Sequence, residues 1–268
     1  MTEISNFHSH TTYCDGRESA ETMLLAAIGK GLRAYGFSGH SHTGFEPWTM
    51  DAERAARYRA EVLRLREKYC GEIEVYLGVE QDLYSDAPTD GYDFVIGSTH
   101  NIIVNGEYRA VDSKSAADTV AELFGGDWYA FAADYFAAHS TVARVMRCDI
   151  AGHFDLPTKY NEGSAQFDET DARYMTAAVD AMREILKDCN LFEVNTGAMF
   201  SLKRSVPYPA PALLRELRAR GGEVIISSDA HSPDAIGYRF RETEDLLREC
   251  GFRYRKTLSA QGFVDVKL

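Results

Sequence analysis

Short apolar runs of strand character recur along this chain, and a histidine or a carboxylate stands where six of the seven stop. The runs are Ile4–His8, Ala34–Gly39, Ile73–Val79, Phe94–Ser98, Asp149–Gly152, Leu191–Asn195 and Glu223–Ser227. The residues that end them read His8-Ser9-His10, His40-Ser41-His42, Glu80, His100, His153-Phe154-Asp155 and Asp229-Ala230-His231. Helical patterns lie between most of the runs. Ser19 caps one over Ala20 to Lys30, which Gly31 closes, and Asp51 opens a charged one over Ala52 to Tyr69. Further helices are expected over Trp128 to Met146, Asp168 to Asp188, Ala212 to Arg220 after Pro211, and Asp234 to Cys250. Strands that alternate with helices need crossover connections and therefore a parallel sheet. No glycine-rich dinucleotide fingerprint is present, which favours closure into a barrel over an open doubly wound sheet. No linker, low-complexity tract or repeat interrupts the chain, so one domain over residues 1–268 is expected. The polar segment 101–126 is expected to be an irregular excursion over the barrel mouth.

The spacing of the polar residues points to metal. His8 and His10 are two apart, so on an extended strand both face the same way, and His40/His42 and Asp229/His231 repeat that spacing. His100 and His153 follow small residues, Gly97-Ser98-Thr99 and Ala151-Gly152, which leave room for something bulky at the mouth. Each feature alone has an ordinary explanation. The histidines could be surface residues, Asp15 before Gly16 a turn aspartate, and Glu80 a solvated strand-end carboxylate. Gathered at one end of a parallel barrel, they are ligands for metal. Nine candidates (His8, His10, Asp15, His40, Glu80, His100, His153, Asp229 and His231) exceed what one or two tetrahedral ions use, so a cluster of three ions with bridging carboxylates fits better. Imidazole and carboxylate donors without thiolate suit zinc, manganese or iron. Asp15, Glu80 and His42 are the residues expected to serve catalysis. His42 would stand behind the ligands or donate a hydrogen bond to the phosphoryl or leaving oxygen. His139, within a helical pattern, is expected to be structural.

Composition narrows the partners. A formal net charge of −12 argues against a long nucleic acid, although bound cations would let an acidic protein act on a phosphate. No apolar run approaches the roughly 18–20 residues of a membrane span. The five cysteines are odd in number and never form a C-x-x-C pair, so they read as reduced thiols, with Cys14 a buried bystander near the site. The expected location is cytoplasmic.

Taken in order, these motifs resemble the PHP superfamily, and more narrowly its monofunctional histidinol-phosphate phosphatases. The resemblance runs essentially end to end. It is carried by Phe7-His8-Ser9-His10-Thr11, Gly36 to Ser41, Leu77-Gly78-Val79-Glu80, Tyr92 to His100, Ile150 to Asp155, Phe192-Glu193-Val194-Asn195-Thr196 and Ser227 to Pro233, with Ile236-Gly237-Tyr238 following. It implies a distorted (βα)7 TIM-like barrel with a trinuclear centre. One ion would be held by His8, His10, Glu80 and Asp229, a second by Glu80, His100 and His153, and a third by Asp15, His40 and His231. Two features depart from the family pattern. Gly39 stands where many relatives carry an acid, and the usual phosphate-binding arginines are replaced by Thr158-Lys159 and by a later pair, Lys203-Arg204. Lys159 and Arg204 are the candidates for gripping the phosphate.

The expected reaction is hydrolysis of a small phosphomonoester, L-histidinol phosphate in histidine biosynthesis, through a metal-activated hydroxide. Hydrolysis of another phosphate ester, a nucleotide or a phosphodiester, is the alternative within the superfamily. A non-catalytic metal-stabilised domain accounts poorly for so complete a ligand set. An amidohydrolase would feature a metal-bridging lysine at a strand end, and no run here ends in lysine.

Overall fold

The computed structural model describes residues 4–268. Its strands, in chain order, are β1 (Ser5–Asn6), β2 (Ala34–Phe37), β3 (Glu74–Asp82), β4 (Phe94–Ser98), β5 (Asn101–Val104), β6 (Glu107–Ala110), β7 (Ile150–Ala151), β8 (Leu191–Asn195), β9 (Glu223–Ser227), β10 (Tyr254–Ser259) and β11 (Gly262–Lys267). β1, β2, β3, β4, β7, β8 and β9 lie side by side in that order and all run parallel. The ring closes just beyond the strand ends, where Ser9 bridges Ala230. There His10 N–H donates to Ala230 O at 2.9 Å and Ala230 N–H donates to His8 O at 3.1 Å. Lower in the same seam, β10 runs parallel to β9 and meets β1 through Ser5 Oγ and Thr257 Oγ1, 2.8 Å apart, while β11 folds back antiparallel on β10. The parallel barrel expected from the strand–helix alternation is therefore present, with a C-terminal hairpin added to it.

Two-residue alternation along the strands separates an apolar floor from a polar mouth. Phe7, Phe94, Ile96, Ile150, Leu191, Ile225 and Leu258 form one buried cluster that plugs the interior. Gly78 makes room for it, since a Cβ there would sit 2.2 Å from Phe94 Cζ. The inward rows then turn polar. Phe94 and Ile96 are followed by Ser98 and His100, Leu191 by Glu193 and Asn195, and Ile225 by Ser227 and Asp229. Outside the ring, helices Ala20–Gly29 and Ala52–Lys68 bury Met23, Leu24, Tyr58, Val62 and Leu65 against β2 and β3. Helices Trp128–His139, Ala172–Ile185 and Pro211–Ala219 cover the other side. Ser19 and Asp51 accept from Thr22 N–H and Arg54 N–H as N-caps.

Several element boundaries differ from expectation. The segment 101–126 is not irregular: it holds the β5–β6 hairpin and helix Ala116–Leu123. The expected Trp128 to Met146 helix is two, Trp128–His139 and Val142–Met146. Between them Ser140 and Thr141 hydroxyls bond back to Ala137 O and Ala138 O and compete with the helical ladder. Asp168 caps a turn at Thr170, and the helix starts after Asp171. A 3-10 turn, Pro233–Ala235, precedes helix Phe240–Glu249, because Gly237 and Arg239 take positive φ between them. No helix among the described residues is long and apolar enough to cross a membrane.

Candidate metal centre

Four side-chain atoms meet at the barrel seam. His8 Nε2 lies 3.2 Å from Glu80 Oε2 and 3.5 Å from Asp229 Oδ1, and His10 Nε2 lies 3.5 Å and 3.0 Å from the same two oxygens. All four atoms are buried, and none has a hydrogen-bond partner. Buried polar atoms rarely go without a hydrogen bond, and this set is arranged to share a cation. Bonds of about 2.0–2.2 Å from one ion in tetrahedral geometry would separate ligand atoms by about 3.3–3.6 Å. The observed edges of 3.0–3.5 Å lie in or slightly below that range.

Two further groups adjoin this one. Glu80 Oε1 is 2.9 Å from His153 Nε2 and 3.3 Å from His100 Nε2, so the carboxylate faces two sites at once. Asp15 lies 3.5 Å from His40 Nε2, 3.5 Å from His10 Nδ1 and 3.0 Å from His231 Nε2. The potential ligand atoms of His10, Asp15, His40 and His231 fall within 4.8 Å of one another, as do those of His8, His10 and Asp229 and those of His40, Glu80 and His100. All nine expected ligands thus converge on one mouth. Asp229 is held there with a φ of 47°, a left-handed conformation that an aspartate tolerates better than most residues.

Two carboxylates not expected as part of the site stand behind the imidazoles. Glu193 Oε1 takes His8 Nδ1 at 2.5 Å, and its Oε2 accepts from His153 N–H and Asn195 Nδ2. Asp82 Oδ2 takes His100 Nδ1 at 3.0 Å. Each fixes one ring nitrogen as the donor and leaves Nε2 free to ligate. Asp82 was legible as the acid two residues beyond Glu80 on the same strand face. Glu193 was legible as the one charge inside an otherwise apolar strand.

Electrostatics follow from this packing. Burial works against the His8 imidazolium, but Glu193, Asp229 and Glu80 raise its pKa well above the ordinary value. Burial likewise works against the Glu80 carboxylate, and His40, His8 and His100 nevertheless hold it well below the usual range. His10 is lowered to about 4 by burial and by neighbouring His231 and His40. His231 is pushed up to about 9, against burial, by Asp15 and Asp229. Without cations the cluster neutralises itself with protons.

The cavity over this mouth measures 660 Å³ and takes in Arg17, Glu46, Trp48, Lys159 and Lys203 besides Asp15, His40, His100, His153, Asp229 and His231. Lys159 reaches it while paired with Asp112 at 2.8 Å. Two expected residues do not reach it. His42 is exposed and lines a separate cavity with Met50, Arg59 and Tyr92, because β2 ends at Phe37 and the chain leaves strand alternation after His40 bridges Glu80. Arg204 is buried and spent on a two-armed pair with Glu169, at 2.8 and 2.9 Å, plus Thr158 O. Lys203, not Arg204, faces the cavity. Gly39 is closely packed: a Cβ there would meet Met50 Cε at 3.0 Å and Cys14 Sγ at 3.4 Å, so a larger residue would need the Met50 side chain to give. Cys14 lies 3.5 Å from His10 Nδ1, and burial raises its thiol to about 11. His139 is buried, bonded to Thr99 Oγ1 at 3.1 Å and stacked on Tyr135, away from the cluster.

A parallel barrel that ends in this many ligand atoms is a polynuclear metal-centre barrel. The chain belongs to the PHP domain family, whose model matches residues 6–197. It is 29% identical over 273 residues to a "Probable histidinol-phosphatase" of Deinococcus radiodurans, covering 96% of this chain and 99% of that one. It is 21% identical over 267 residues to a protein of the same description from Schizosaccharomyces pombe, covering 91% and 86%. The crystal structure of histidinol phosphate phosphatase from Lactococcus lactis, complexed with zinc, L-histidinol and phosphate, superposes with a TM-score of 0.74 at 18% identity, over 98% and 99% of the two chains. At that identity the last comparison speaks to the fold.

Proposed function

We propose that this protein is a metal-dependent phosphomonoesterase that hydrolyses L-histidinol phosphate to L-histidinol and phosphate, with residues 1–268 acting as one unit. The observation that carries the metal-dependent part is the convergence of four buried atoms of His8, His10, Glu80 and Asp229, none of which has a hydrogen-bond partner. The substrate is supported by the end-to-end similarity to proteins described as histidinol-phosphatases. His8, His10, Glu80 and Asp229 would hold one cation, Glu80, His100 and His153 a second, and Asp15, His40 and His231 a third. Bound there, divalent zinc, manganese or iron supplies Lewis acidity toward phosphoryl oxygens and a nucleophile at neutral pH.

The chain's own residues do the rest. Glu193 and Asp82 hold His8 and His100 in one tautomer and one orientation. Lys159, Lys203 and Arg17 line the cavity and bring positive charge to the phosphate. Asp112 anchors the Lys159 ammonium at the cavity wall. The floor of Phe7, Phe94 and Ile96 keeps water from entering below. Five free thiols are in keeping with a cytoplasmic location.

The test is phosphate release by metal-replete protein from L-histidinol phosphate, mononucleotides and a cyclic phosphodiester. The proposal expects histidinol phosphate to be preferred. Preference for a nucleotide or diester would move the substrate assignment, and no turnover of any ester would leave a non-catalytic metal domain.

A further inference from the structure

One carboxylate in the cavity belongs to no ligand group and to no ion pair. The cavity's acids are Asp15 and Asp229 in the metal cluster, Asp112 paired with Lys159, and Glu46. Among the described residues no Lys, Arg or His lies within salt-bridge distance of the Glu46 carboxylate, whose one side-chain partner is Asn101 Nδ2 at 3.4 Å. Glu46 is half-buried on the segment between β2 and helix Ala52–Lys68. Its backbone is fixed by Thr49, whose hydroxyl donates to Glu46 O at 2.8 Å. Two residues on, Trp48 stands edge-on to His40 with ring centroids 4.6 Å apart, so this segment walls the mouth beside the ligands. The cations of the cavity, Arg17, Lys159 and Lys203, come from other segments of its lining. A half-buried anion without a counter-charge, facing a site built for a phosphate, suits a substrate that carries its own positive charge.

We infer that Glu46 is a specificity-determining residue that selects phosphomonoesters bearing a cationic amine, by accepting a charge-assisted hydrogen bond from the substrate's ammonium. The inference rests on the phosphomonoesterase reading above and adds to it the charge of the alcohol part. An aliphatic ammonium is charged throughout the neutral range, whereas an imidazole with a pKa near 6.5 is mostly neutral there, so the amine is the group that Glu46 reads.

The experiment compares kcat/KM for two matched pairs: L-histidinol phosphate against its deaminated analogue, and O-phosphoethanolamine against ethyl phosphate. In the parent protein the cationic member of each pair is favoured. Glu46→Gln lowers that cationic-to-neutral ratio by about 10- to 100-fold, chiefly through KM, as expected for loss of one charge-assisted hydrogen bond. Glu46→Lys lowers it further. Ratios that stay unchanged in both variants overturn the inference, even if histidinol phosphate remains a good substrate. If the parent protein ignores histidinol phosphate but favours phosphoethanolamine through Glu46, the inference stands and the substrate assignment falls.

Discussion

Glu193 Oε1 lies 2.5 Å from His8 Nδ1, with both side chains enclosed at the centre of the barrel. The contact fixes which nitrogen of His8 faces the mouth, and Ser227 Oγ and Asn195 Nδ2 hold the carboxylate in place. Glu193→Gln keeps the shape and loses the charge. It is expected to weaken cation binding by about 10- to 100-fold and to lower activity at limiting metal, with partial recovery at excess metal. Metal titration followed by phosphate release checks this, and unaltered affinity would show that the contact is only structural.

Removing a ligand is expected to be more severe. His8→Ala and Asp229→Ala each delete one of the four converging atoms, so phosphate release should disappear while circular dichroism stays like that of the parent. Near parental turnover by either protein would remove the cluster from catalysis.

His42→Ala is expected to leave kcat and KM close to the parent values, because the imidazole opens onto another cavity. Steady-state kinetics on the same substrate decides this. A loss of more than about tenfold, roughly 1.4 kcal/mol, would restore His42 to the site.

Arg204 and Lys203 should separate cleanly. Arg204→Met leaves Glu169 without its charged partner, which should destabilise the fold by about 3 kcal/mol while KM in the folded fraction stays unchanged. Lys203→Ala, facing the cavity, should raise KM with little change in unfolding midpoint. Denaturant titration and kinetics on both variants test the pair.

Cation binding should release protons. In the metal-free protein His231 has its pKa raised to about 9 and is protonated at pH 7, and it must be neutral to ligate. Protons therefore compete with the cation, and apparent affinity should climb as pH rises toward about 9, where His231 gives up its proton. Calorimetry in buffers of different ionisation enthalpy measures the proton release directly, and identical heats in every buffer would exclude it.

Much of the barrel, and the gathering of the candidate ligands at its mouth, was legible because both depend on local pattern. Apolar runs ending in His or Asp predict strands with polar tips, and β4, β8 and β9 follow the expected boundaries. The C-terminal hairpin escaped notice because Tyr254–Ser259 and Gly262–Lys267 mix charge into their alternation, and their pairing is settled by the seam they fill. His42 and Arg204 were misplaced for related reasons. Two-residue spacing says nothing once the chain leaves its strand, and composition does not reveal which basic residue of Lys203-Arg204 already has a partner. Glu169, which claims Arg204, is 35 residues away along the chain.

The ligands are not spread evenly around the ring. His8 and His10 leave β1 and Asp229 leaves β9, and the backbone pairing between those two strand ends is the short stretch where Ser9 meets Ala230. An ion held by those three side chains would rivet the two ends of the wound sheet together. Stripping it should let the barrel begin to unzip from there, with amides of His10 and Ala230 exchanging early and the Phe94 floor last.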